Sequence, residues 1–126
     1  IKLIDPRGEF GIPSIYGDPR YDCAKLMHSY ASGYDLIISN RFSVEVTDQG
    51  ILSCIIHFKP YHEIVKKIFN HHLHCEAGEL EASAAILPLL FLSMLPLHRD
   101  HPDRQKAMLY VGLNLFNSEV KKLGLQ

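Results

Sequence analysis

Two acidic segments near the start of the chain carry the residue types that hard-cation and phosphate chemistry needs. The first is Asp5, which the apolar run Ile1-Lys2-Leu3-Ile4 delivers into the turn Asp5-Pro6-Arg7-Gly8. The second is Gly17-Asp18-Pro19-Arg20-Tyr21-Asp22, which leads into a stretch of helical periodicity. Mg2+ is held by one or two carboxylates on rigid backbone together with phosphate oxygens, and phosphoryl transfer consists almost wholly of positioning that charge. An aspartate at a strand end, followed by a glycine that lets phosphate approach the backbone, meets this need. Asp-Pro is also an ordinary turn sequence, so spacing alone leaves both readings open.

A second constellation is His71, His72, His74 and Cys75. Imidazole and thiolate suit zinc. On a helix, however, His71 and Cys75 share a face at four-residue spacing while His72 and His74 point elsewhere, and no Cys-x-x-Cys accompanies them. Cationic and polar residues are expected at a helix C-terminus in any case, so a polar helix end is the simpler reading. His98, Arg99 and His101 form a similar polar turn between two helices, placed where a cleft could border it.

The elements that must position these groups follow from periodicity. Residues 1–4 read as a strand ended by Pro6, and residues 7–19 as a loop punctuated by Gly8, Gly11, Pro13 and Gly17. Residues 20–32 carry Cys23, Met27, Tyr30 and Ala31 at helical spacing, with Gly33 as the stop and a further helical turn over 34–40. Residues 42–46 and 51–58 are β-branched and aromatic, and Thr47-Asp48-Gln49-Gly50 joins them as a hairpin in which Val44 and Val46 share a face. Three helices complete the chain, over residues 61–75, 79–97 and 102–123. The middle one is apolar on nearly all sides and carries Pro88, which is expected to kink it. The last shows a stripe of Leu109, Leu113, Phe116, Val120 and Leu123. The expected fold class is α+β, mainly α-helical, as one domain over residues 1–126.

Composition removes several function classes. With 47% hydrophobic and 21% charged residues the chain can bury a core, which excludes disorder. A net charge of −1, without any block of like charges, gives no footprint for nucleic acid or an anionic membrane surface. Cys23, Cys54 and Cys75 match no disulfide or zinc framework, which points to reduced thiols and a cytoplasmic location. Residues 82–97, the most apolar stretch, are short for a bilayer span and contain Pro88 and Pro96, so a buried helix is expected. Ile1 already lies inside an apolar run and is not a methionine, and the chain reads as the C-terminal piece of a larger protein.

Residues 3–8 together with Gly17-Asp18-Pro19-Arg20-Tyr21-Asp22-Cys23-Ala24-Lys25-Leu26 resemble the pattern IDxxxxxxGDPxYDxA of the aminoglycoside phosphotransferase and choline kinase family, whose fold is protein-kinase-like. The stretches IDPRG and YGDxxYDxAKL resemble members associated with capsular polysaccharide or sugar-nucleotide biosynthesis. The resemblance implies that Asp5 is the metal-binding aspartate, counterpart of the Asp in the kinase D-F-G motif, with Gly8 beside it at the cofactor. It implies that Asp22 braces the catalytic loop, an act that can coincide with satisfying first-turn amides, and that Arg7, Asp18 and Arg20 lie toward the substrate. Pro6-Arg7 stands where many relatives carry an aromatic or acidic residue, which leaves open whether Arg7 meets substrate, phosphate or Glu9. The family's His-Gly-Asp catalytic loop with its following Asn, and the nucleotide-binding lobe with its lysine, are not in this sequence. The implied picture is a C-terminal lobe whose partners are the missing N-terminal lobe of the same protein and a small-molecule substrate. ATP and Mg2+ would belong to the parent chain, with none bound to this fragment, which would be inactive alone. The alternatives are a non-catalytic kinase-like binding module of a multidomain biosynthetic enzyme, and a stand-alone helical interaction domain.

Overall fold

A computed structural model describes residues 18–72 and 79–124. The expected strand at residues 1–4 and the turn holding Asp5, Arg7 and Gly8 therefore lie outside the described residues.

Asp18 opens helix α1, Pro19–Tyr30, as an extended N-cap whose side chain accepts from the Arg20 amide, and Pro19 occupies the first turn, where its missing N–H costs nothing. The helix closes where the Ala31 and Ser32 amides both donate to the Met27 carbonyl, two residues before the expected end. Gly33, at φ 79°, then turns the chain into the short helix α2, Tyr34–Ile38. Asn40, at φ 57°, turns it again into the hairpin. Strands β1, Phe42–Val46, and β2, Leu52–Ile56, pair antiparallel with Val44 opposite Cys54. The Thr47 amide donates to the Ile51 carbonyl, and the Thr47 hydroxyl accepts the Ile51 amide at 3.1 Å, which closes the expected turn. Phe42, Val44, Cys54 and Ile56 face the core, as period-two alternation requires. Val46 is exposed although it shares the face of Val44, because it lies at the hairpin tip.

Helix α3, Pro60–His72, buries none of its residues. Helix α4, Glu79–Met94, runs through Pro88 and gives way to a 3-10 turn over Leu95–His98, so its α-helical part ends before the expected residue 97. Helix α5, Pro102–Lys122, follows with Pro102 in its first turn. By length and composition alone Glu81–His98 could cross a membrane. In the fold, α4 packs between α1 and α5. It contributes Leu87 and Leu90 to a cluster with Ala24, and Phe91 to a cluster with Ile37, Ala107 and Met108.

The face of α5 that meets this core is not the expected stripe. Ala107, Met108 and Gly112 are buried and Val111 and Leu115 pack beside them, whereas Leu113, Phe116 and Leu123 are exposed. A Cβ added to Gly112 would lie 3.2 Å from the Phe91 Cβ, so α4 approaches too closely for large side chains at the contact. The described residues form a mainly helical α+β fold with a two-stranded antiparallel sheet.

Candidate functional site

The structure brings Asp18 and Arg20 together. Asp18 Oδ1 accepts from the Arg20 amide at 2.9 Å, and both carboxylate oxygens accept from the Arg20 guanidinium, Nε lying 2.9 and 3.0 Å away. The guanidinium hydrogen bonds, followed by that of the amide, hold the Asp18 carboxyl below the usual carboxylate range. Both side chains remain substantially exposed, so the pair fixes the start of α1 while adding little stability. Asp22 lies in the first turn of the same helix and is exposed. Its carboxylate makes no hydrogen bond or ion pair among the described residues, and the capping expected of it is performed by Asp18.

Asp5, Arg7 and Gly8 lie outside the described residues. Of the remaining acidic groups at the start of α1, Asp18 is a poor metal ligand because Arg20 engages both its oxygens. Among the described residues no three His, Cys, Asp or Glu side chains are grouped to hold a cation. His71 and His72 meet edge to face at 5.0 Å on the last turn of α3, and His74 and Cys75 lie outside the described residues.

Two cavities stand out among the described residues, and of their lining only His101 belongs to a segment that the sequence marks as a possible cleft border. One, of about 320 Å3, lies between β1 and the start of α5, where Arg104 Nε donates to Asn40 Oδ1 at 2.9 Å and His101 and Asp103 form part of the wall. His101 of the polar inter-helix turn therefore does border a cavity, while Asp103 is engaged by Lys106 at 2.8 Å. The other, of about 410 Å3, is a groove between α1 and α3 walled by Leu26, Tyr30, Phe58, Tyr61 and Phe69, with Asp35 as its carboxylate. Tyr30 and Phe69 stack with centroids 4.8 Å apart, and the Tyr30 hydroxyl donates to Asn70 Oδ1 at 2.8 Å, which ties α3 to α1. The Ser29 hydroxyl donates to the Asp35 carboxylate and orients it. The aromatic spacing of Tyr61 and Phe69 on one helical face was the available signal for this groove.

Chemically, the start of α1 presents one carboxylate, Asp22, to whatever approaches it, and the groove presents aromatic faces beside a second carboxylate, Asp35. No protein-family model matches the chain, and neither a curated protein nor a solved structure does.

Proposed function

We propose that this chain is the C-terminal part of an ATP- and Mg2+-dependent phosphotransferase that moves a γ-phosphoryl group to a hydroxyl of a sugar, amino alcohol or related metabolite in the cytoplasm. The observation that supports this reading best is the asymmetry at the start of α1. Asp18 and Arg20 satisfy each other, and Asp22 is left exposed on the first turn with no partner among the described residues. A carboxylate so presented can accept hydrogen bonds from a loop that precedes this chain, which is the bracing role implied by the resemblance of Gly17-Asp18-Pro19-Arg20-Tyr21-Asp22 to the phosphotransferase family. Asp5 would hold Mg2+, whose chemistry when bound is to neutralise charge on the transferred phosphoryl group. The contribution of the described residues is positional: α1 carries the motif, and α4 and α5 form the core that keeps α1 in place.

The test uses the parent protein. Mg2+-dependent ADP formation is measured against a panel of sugars and amino alcohols. Asp5→Asn is expected to lower turnover by several powers of ten at unchanged melting temperature, since only the cation loses its ligand. Asp22→Asn is expected to lower turnover without altering the stability of the 126-residue chain. A parent protein that forms no ADP with any of the panel, or whose turnover ignores Asp5→Asn, refutes the reading.

A further inference from the structure

We propose that the groove between α1 and α3 docks a segment of another protein that presents an arginine among apolar side chains. The surface requires no catalytic role of the chain.

Helix α3 carries Tyr61, Ile64, Val65, Ile68 and Phe69 at helical spacing on one face. None of them is buried: Tyr61 is 52% exposed, Ile64 59% and Ile68 52%. Leu26 from α1 and Phe58 before α3 are exposed beside them and wall the same groove. Contiguous exposed apolar surface of this kind marks an interaction site. Because Ile64 and Ile68 continue the apolar face beyond the groove wall, the surface suits a polypeptide better than a small molecule.

Charge selects the residue that the partner inserts. Asp35 is the carboxylate of the groove, no lysine or arginine lines it among the described residues, and the Ser29 hydroxyl holds Asp35 in place. The groove wall is aromatic, with Tyr30 stacked on Phe69 and Tyr61 stacked on His62 at 4.1 Å, and the outer π-face of such a stacked ring attracts a cation. A guanidinium satisfies both demands at once, stacking on an aromatic ring while its planar fork pairs with a carboxylate.

The probe is a dye-labelled peptide of leucine and alanine with one central arginine, and a second in which the neutral isostere citrulline replaces the arginine. Fluorescence anisotropy with the 126-residue chain is expected to show binding that weakens about tenfold with citrulline. Asp35→Asn should weaken the arginine peptide to the citrulline level and leave the citrulline peptide unchanged. Tyr61→Ser, at an exposed position that does not endanger the fold, should weaken both. The proposal is overturned by absence of binding, by equal binding of the two peptides, or by indifference to Asp35→Asn. It is also overturned if tetramethylammonium chloride displaces the peptide at comparable concentration, which would make this a small-cation site. Self-association of the chain that Tyr61→Ser abolishes would assign the face to a second copy. Peptide binding that appears only after deletion of residues 1–17, or that the 126-residue chain shows and the longer parent protein does not, would assign it to the protein's own chain. Either result overturns the proposal.

Discussion

The imidazole of His28 stacks on the Tyr34 ring with centroids 4.2 Å apart and meets the edge of Phe91 at the same separation, while its Nε2 has no hydrogen-bond partner among the described residues. His28 is only 2% exposed and sits where α1, α2 and α4 converge. Such a site tolerates the neutral ring and penalises the imidazolium, because removing a charge from water without a compensating partner is costly. Burial, reinforced by Lys25 and opposed by Asp35, holds the His28 pKa down to about 4.

The fold should therefore be acid-sensitive through this residue. In the unfolded chain His28 takes up a proton near its ordinary value of 6.5, whereas in the folded chain it does so only near 4. Between those values the unfolded state binds more protons, so acid favours unfolding. The stability margin is intact above pH 6.5, declines as pH falls, and is lost once pH drops below about 4, for a total of about 3 kcal/mol. Denaturant titrations of the unsubstituted 126-residue chain and of His28→Leu at pH 7 and pH 4 measure it. The unsubstituted chain should lose that much more stability than the variant, and equal losses would remove His28 as the cause.

The distribution of helices and the hairpin was legible because period and punctuation agreed. Gly33 and Gly50 fall where φ is positive, and Asp18-Pro19 supplies both a cap and a first-turn proline. The packed face of α5 was not legible. Periodicity selects the largest apolar residues, and Leu113, Phe116 and Leu123 do recur helically, but the close approach of α4 is made against Ala107 and Gly112, whose smallness hides them from such a pattern. The groove was missed for a related reason: Tyr61, Ile64 and Phe69 look like core residues in sequence, and only the placement of α3 at the edge of the fold leaves them uncovered. At the start of α1, two acids four residues apart compete for one cap in the sequence. The backbone settles the matter in favour of Asp18, which stands just outside the helix in extended conformation.

That assignment can be checked by separating the two aspartates in the 126-residue chain. Asp18→Ala removes an N-cap acceptor and is expected to cost about 1 kcal/mol. Asp22→Ala alters an exposed side chain with no partner among the described residues and should change stability by less than about 0.5 kcal/mol. Paired thermal melts decide it, and a larger loss for Asp22→Ala would return the capping role to Asp22.

Gly33→Ala tests the corner between α1 and α2. An alanine at φ 79° incurs about 1–2 kcal/mol of backbone strain. The added Cβ would also lie 2.8 Å from Phe58 Cζ and 3.0 Å from Ile56 Cγ2. Phe58 is exposed and its ring can swing away, whereas Ile56 is packed against the core and cannot, so crowding against Ile56 adds to the backbone strain. The expected result is a stability loss of at least about 1–2 kcal/mol, accompanied by a shift of the Phe58 ring resonances in NMR spectra. Unchanged stability would mean that this corner adopts a different backbone conformation in solution.

Gly112→Ala sets two opposing effects against each other within α5. Replacing a mid-helix glycine by alanine gains about 1 kcal/mol from helix propensity alone. Against that, the new methyl group would lie 3.2 Å from Phe91 Cβ and 3.3 Å from Leu92 Cδ2. Phe91 Cβ is fixed to the α4 backbone and its ring is fully buried, so relief requires α4 and α5 to separate, and overpacking of this kind costs about 1–3 kcal/mol. The steric cost should exceed the propensity gain and leave the variant less stable than the parent in urea. Asn114→Ala, two residues further along the same helix at an exposed position, experiences only the propensity effect and should gain about half a kcal/mol. If Gly112→Ala proves stabilising by the full gain of about 1 kcal/mol that propensity alone supplies, above that of Asn114→Ala, the helices do not approach each other at Gly112 and the assignment of the α4–α5 contact to this face of α5 fails.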